Sequence, residues 1–211
     1  LHAYALFNQK DFATAEPIFR QYVAAMGNNT ANTTYADALN RIGDCLFQAR
    51  DFQQASDIYH QVAELKSNGA DYAILQQGYA QGLLHHYAEK AAVLTSLIEQ
   101  YPRSDYADDA MYEIARAQLQ QNKNEDAIHT YQQLLKKYPN SNQAPKSSLE
   151  LGMTYRTTKQ YDQAILSFKS TIEHYPGTEE AYAALEGLEQ VYVETNKIDE
   201  YIAYTKTLNR M

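Results

Sequence analysis

Residues 101–139 read YPRSDYADDAMYEIARAQLQQNKNEDAIHTYQQLLKKYP. The stretch opens and closes on Tyr-Pro, and between the two copies lie two helical patterns separated by the polar turn NKNED. The same arrangement starts again at Tyr138-Pro139 and ends at Tyr175-Pro176, so Pro102, Pro139 and Pro176 are spaced by 37 residues each time. A fixed period of this size, with one helix-turn-helix per period, is the signature of a solenoid, in which each repeat buries its apolar face against its neighbours.

The rest of the chain reads as better or worse copies of this unit. Each second helix starts with a small residue followed four positions later by an aromatic: Ala15 and Phe19, Ala55 and Tyr59, Ala127 and Tyr131, Ala164 and Phe168. A small residue lets two helices approach, and a ring one turn on fills the space beside it. Lys90 and Tyr201 occupy the small position in two degenerate copies. Twelve residues upstream of the anchors stand Ile42-Gly43, Ile114-Ala115 and Leu151-Gly152, whereas Gln77 precedes Gly78 and Leu188-Glu189 loses the small residue. Glycine in mid-helix costs about 1 kcal/mol against alanine, so its recurrence at one phase predicts close helix packing. Ser104, Ser141 and Thr178 each follow a proline by two residues and are expected to cap first helices. Glu179 and Glu180 complement the helix dipole, and Pro145 falls where proline is tolerated. Short polar turns are read at 8–11, 48–51, 84–86, 122–125, 157–160 and 195–197, with a longer loop, GNNTANTT, at 27–34.

Composition narrows the function. Hydrophobic residues at 45% and charged residues at 21% fit a folded chain. A net charge of −8 argues against a nucleic-acid binder, which needs a basic stripe. No apolar run approaches the roughly 20 residues of a membrane helix. Cys45 is the one cysteine, so no internal disulfide is possible. The 19 tyrosines suit half-buried seams, with an apolar body and a polar tip. The chain starts at Leu1 within a helical pattern and is expected to be a fragment of a longer chain.

The unit at 148–176, with Leu151-Gly152, Tyr155, Tyr161, Ala164, Phe168 and Pro176, resembles the tetratricopeptide repeat (TPR). The resemblance covers the whole chain as a single all-α solenoid of about six units and about twelve helices, approximately 1–28, 33–66, 68–102, 103–139, 140–176 and 177–211, with the first and last truncated or degenerate. The openings YPRSDYA (101–107), YPNSNQA (138–144) and, more loosely, YPGTEEA (175–181) look like the TPR subtype of bacterial cell-envelope proteins. That subtype includes the Tol-Pal-associated periplasmic protein and the TPR lipoprotein of outer-membrane assembly, and implies a periplasmic or outer-membrane-associated place. The family implies a right-handed superhelix whose first helices line a concave groove. Carried over by register, groove positions are Tyr4, Phe7, Asn40, Asp44, Phe47, Tyr72, Leu75, Tyr79, Tyr112, Arg116, Leu119, Leu149, Met153, Arg156, Gln190 and Val193. Aromatics flanked by Arg, Asn and Asp suit protein recognition, although some of these rings could serve packing between units alone. A carboxylate clamp is not expected, because its positions hold Asn40, Asp44, Gln76, Asp109 and Glu113, with acids at two places where the clamp has cations.

Nothing points to catalysis. His85-His86 falls in a turn with no further ligand motif, and His2, His60, His129 and His174 are scattered. Asp105, Asp108 and Asp109 share a helix face without the loop of a calcium site. Cys45 reads as a small buried hydrophobe, and the sequons at Asn28 and Asn32 are short enough to arise by chance. There is no phosphate loop, nucleophile triad or HExxH. Residues 101–126 are acidic, 127–175 basic and 177–211 acidic again, a pattern that can orient a partner or simply solvate helix faces. The expected function is therefore a non-enzymatic scaffold, with no cofactor and no metal. It would bind a protein or peptide in the groove, without nucleic acid and without membrane insertion by this segment. Alternatives are a regulatory arm of a larger signalling protein or enzyme, and a homo-oligomer formed through exposed terminal repeats.

Overall fold

The computed structural model describes residues 2–27 and 33–208, which contain twelve α-helices and no strand. They are α1 (His2–Asn8), α2 (Phe12–Met26), α3 (Thr33–Gln48), α4 (Phe52–Glu64), α5 (Ala70–Leu83), α6 (Tyr87–Gln100), α7 (Ala107–Gln120), α8 (Asn124–Lys137), α9 (Ala144–Thr157), α10 (Tyr161–His174), α11 (Glu179–Glu194) and α12 (Ile198–Leu208). Each sequence unit holds one helix pair, so the element count expected from the 37-residue period is what forms. The expected loop at 27–34 and the two sequons fall largely outside the described residues.

The helices gather into two compact units, Leu1–Gln121 and Asn122–Met211. In the first, α1 to α7 pack on their neighbours in chain order, and α3 also meets α5, as α5 meets α7. In the second, α8 to α12 do the same, and α9 meets α11. First helices of consecutive repeats therefore lie side by side within each unit.

The packing follows the small-plus-aromatic pattern. Ala15, Ala55, Ala127 and Ala164 are fully buried, and Phe19, Tyr59, Tyr131 and Phe168 are buried with them. A methyl added to Gly43 would stand 2.6 Å from the Tyr59 ring, and one added to Gly152 would stand 2.7 Å from Phe168. These glycines are selected by contact, since a carbon there has no room. The sixth repeat has no small residue at 189, but Gly187, two places earlier, packs against the preceding repeat: a methyl there would stand 2.7 Å from the other edge of Phe168. The Phe168 ring is thus held between α9 and α11.

The helix starts differ in part from expectation. Thr178 caps α11, accepting from the Ala181 N–H at 3.1 Å. Ser104 and Ser141 are not N-caps, because α7 and α9 begin three residues later, at Ala107 and Ala144. The chain after each Tyr-Pro first makes two consecutive turns, Ser104 N to Tyr101 O and Ala107 N to Ser104 O, repeated at Ser141 and Ala144. Asp11 and Asp51 cap second helices instead, accepting from the Thr14 and Gln54 N–H groups at 3.2 Å.

Every turn within a repeat uses one left-handed residue: Lys10, Arg50, His85, Asn122, Lys159 and Asn196 all have φ between 56° and 62°. Asparagine and histidine are enriched in this region, whereas the two lysines and the arginine do not favour it. Lys10, Arg50 and Lys159 are cationic and follow the C-terminus of a first helix, where the helix dipole favours positive charge.

Candidate functional site

Every groove residue expected from the register lies on an odd-numbered helix, hence on a first helix of its repeat. In the first unit these faces meet in a set of aromatic and charged groups. Asp44 of α3, almost buried, accepts from the Tyr59 hydroxyl and the Tyr72 hydroxyl, each at 2.7 Å. Arg41, one turn before Asp44, places Nη1 2.6 Å from its carboxylate. The Arg41 guanidinium lies 5.2 Å from the Phe7 ring centroid and 5.6 Å from that of Tyr72, a cation held between two rings. Tyr4 donates to Asp37, which also faces Arg41 at 3.8 Å. Burial pushes the Tyr59 and Tyr72 hydroxyls well above the usual tyrosine range, and the Asp44 charge adds to it. The Tyr59 and Tyr72 hydroxyls therefore stay protonated donors at neutral pH.

A second cluster closes the cleft further along the unit. Lys90 stands where the pattern asks for a small residue, yet it is nine-tenths buried. Its ammonium donates to Glu113 of α7, and Arg116 donates to the other Glu113 oxygen at 3.2 Å. Gly82 makes the room, since a methyl there would lie 3.1 Å from Lys90 Cδ and Nζ. Arg116 also lies 5.8 Å from the Tyr112 ring centroid. Around this ion cluster opens a cleft of about 430 Å³ whose apolar wall is Phe47, Tyr79, Leu83 and Tyr87. Leu83 is half exposed, at 49%. The Tyr79 hydroxyl is pushed up by burial and then by Asp109, Glu113 and Asp108.

Phe47, Tyr79 and Arg116 thus share one cleft, Asn40 and Tyr72 line another, and Phe7, Asp44, Phe47 and Tyr72 surround Arg41. Leu75 instead belongs to the core, 4% exposed, beside Ile74 and Leu94. Alpha-5 is covered on two sides by α4 and α6, so only a narrow stripe with Tyr72 and Tyr79 remains for the face. Leu119 is half-buried on α7. In the second unit, Arg156 bonds Gln190 and reaches Glu194 with Nε at 3.0 Å and Nη2 at 2.5 Å. That pairing holds the Glu194 carboxyl below its ordinary range. Leu149 is half-buried, while Met153 and Val193 are exposed, at 39% and 60%.

Sequence reasoning passed over Arg41, Lys90 as a cleft residue, Asp37 and Tyr106. The i, i+4 and i+7 spacing of Asp37, Arg41 and Asp44 was the available signal for the first of these. Lys90 left none, because its partner Glu113 is 23 positions away. His85 pairs through Nδ1 with the Tyr87 hydroxyl at 2.8 Å, and His86 through Nδ1 with Gln81 at 2.9 Å. Among the described residues no group of three or more His, Cys, Asp or Glu could hold a metal ion, and no helix is long and apolar enough to cross a membrane.

Comparison with known proteins agrees with the all-α repeat fold. The family model of the tetratricopeptide repeat matches residues 72–104, 109–141 and 146–178, so these segments are TPR repeats. No curated protein sequence matches the chain. Among solved structures, that of MamA aligns with TM-score 0.65 at 21% identity, covering 78% of this chain and 91% of that one. A tetratricopeptide repeat protein from Parabacteroides merdae aligns with TM-score 0.68 at 16% identity, covering 99% of this chain and 77% of that one. BtubC (BKLC) from P. vanneervenii aligns with TM-score 0.68 at 12% identity, covering 95% and 88%. These likenesses establish an all-α repeat superhelix of the TPR kind.

Proposed function

We propose that the chain is a non-enzymatic scaffold that binds a protein or peptide segment along the first-helix face of residues 2–121. The observation that carries this is the 430 Å³ cleft, with Phe47, Tyr79, Leu83 and Tyr87 on one side and the Lys90–Glu113–Arg116 cluster on the other. Rings that present a flat apolar surface at low entropy cost, next to a half-exposed arginine, are what recognition hot spots are made of. A pull-down from the native source with Phe47, Tyr79, Tyr112 and Arg116 changed to Ala tests it. Partner capture falls at least tenfold while the circular dichroism spectrum is retained; unchanged capture sinks the assignment.

The cell-envelope place belongs to the same reading. Its support is the YPxSxxA opening at 101–107 and 138–144. A reporter fusion that is active only outside the cytoplasm, made on the full-length protein, reads the compartment directly. A second reading, self-association, is favoured by α12, which buries no residue and leaves Ile198 and Ile202 exposed near Val193 in sequence. Sedimentation velocity over a hundredfold concentration range distinguishes the two, since a scaffold for a foreign segment sediments as one species throughout.

A further inference from the structure

The first three repeats share one turn, and the third lacks a ring that the other two have. Eight residues before the second-helix anchor (Ala15, Ala55 and, in its place, Lys90) stand Phe7, Phe47 and Gly82. Three residues before it stand Phe12, Phe52 and Tyr87. In the first two repeats these rings meet edge to face: Phe7 with Phe12, and Phe47 with Phe52, each pair with centroids 5.3 Å apart and planes 76° and 67° apart. The third repeat keeps the same backbone, since Lys10, Arg50 and His85 hold the left-handed place in the turn at φ 62°, 62° and 61°. It also keeps Tyr87 at the start of α6, where His85 is its ring neighbour at 5.9 Å. Gly82 gives Tyr87 no ring.

The 430 Å³ cleft opens over this glycine, with Phe47, Tyr79, Leu83 and Tyr87 in its apolar wall. Lys90 passes beside Gly82 on its way to Glu113, and the cleft remains open next to it. Two cations, Lys90 and Arg116, line the cleft against one carboxylate, Glu113. That balance disfavours an incoming ammonium or guanidinium. An incoming carboxylate is disfavoured as well, because Asp108 and Asp109 act on the Tyr79 hydroxyl together with Glu113. A neutral ring meets neither objection. Its electronegative face complements the excess positive charge, and the Arg116 side chain is 53% exposed at the cleft.

We propose that this cleft is a subsite for one aromatic side chain of the partner, which takes over Gly82 the place that Phe7 and Phe47 take in their own repeats. The partner is then a polypeptide segment anchored by a phenylalanine or tyrosine. This rests on the groove reading above and adds what the groove recognises. The incoming ring lies edge-on to Tyr87, and Leu83 and Tyr79 flank it.

The test is selection of phage-displayed random dodecapeptides on the protein, followed by fluorescence anisotropy of the selected peptides on wild type and on Phe47→Ala/Tyr79→Ala. The expected result is one aromatic position in every peptide that depends on Phe47 and Tyr79. Changing it to Leu should lower affinity about three- to tenfold on wild type and about twofold or less on Tyr87→Leu, where the ring pair is already lost. On the wild-type protein, isotope-filtered NOE spectra should connect that ring to the Gly82 α-protons and the Leu83 methyls, a readout that needs no variant. Peptides that depend on Phe47 and Tyr79 but tolerate Leu at every aromatic position overturn the subsite and leave the groove reading standing. An undiminished effect on Tyr87→Leu, or NOEs that place the ring away from Gly82, also overturns it. If no selected peptide depends on Phe47 and Tyr79, the groove reading and the subsite fall together.

Discussion

Replacing Lys90 by Met tests whether the ion cluster holds the cleft together. Lys90 and Glu113 are each 8% exposed, so both charges have left water. Removing one member of such a pair strands the other, at a cost of about 3–5 kcal/mol when nothing else compensates. Here Arg116 remains on the second Glu113 oxygen at 3.2 Å, but its side chain is 53% exposed and its charge is screened. We therefore expect a loss of about 2–3 kcal/mol for Lys90→Met, with the side-chain stem and helix propensity kept. Glu113→Gln strands the ammonium and costs a similar amount. The double variant removes both charges and should lie within about 1 kcal/mol of wild type, giving a coupling of at least about 2 kcal/mol. Urea unfolding followed at 222 nm for all four proteins measures it. Additive single changes, or a Lys90→Met protein as stable as wild type, would refute the idea that this pair closes the wall of the cleft.

Four further outcomes are expected. Gly187→Ala drives a methyl to 2.7 Å from Phe168 and should destabilise by about 1–2 kcal/mol by calorimetry, against the roughly 1 kcal/mol gain that helix propensity alone would give. Lys159→Gly relieves a left-handed lysine at φ 60° and should stabilise by about 0.5–1 kcal/mol in urea titrations. Cys45 is buried and its thiol is pushed up to about 12 by burial, then by Asp44 and Glu16, so at pH 8 its reaction with a disulfide reagent should run at the rate of local opening and show no dependence on reagent concentration once the reagent is in excess. The Glu194 carboxyl, lowered by its hydrogen bond from Arg156, should titrate below the ordinary glutamate range by carbon NMR and return to it in Arg156→Met; being depressed, the pairing is present above that range and is lost as the pH falls through the folded midpoint.

The fold was legible because one pattern is repeated. Ala55 with Tyr59 and Ala164 with Phe168 state the same contact, and both partners are buried as the spacing implies. Residues that break the pattern were less legible. Lys90 reads as a worn copy in isolation, and its compensation lies on another helix, at Glu113. Ser104 and Ser141 read as caps because a serine after a proline satisfies the local rule, but two turns intervene and the hydroxyl of Ser104 goes to Asp71 instead. All sixteen positions expected from the register fall on first helices. Which of them face the cleft depended on how far the neighbouring helices cover each one, and that took Leu75 into the core.

The Phe168 ring also decides where this chain can be cut. The period in the sequence marks a joint at Tyr175-Pro176, yet the ring it would leave behind is covered on one side by Gly187, beyond that joint. A fragment ending there uncovers the largest fully buried side chain of α10, so the unit that can be removed whole is offset by one helix from the unit that repeats. A truncation series designed on the Tyr-Pro frames would expose that ring, whereas an end placed after Glu194 retains its cover.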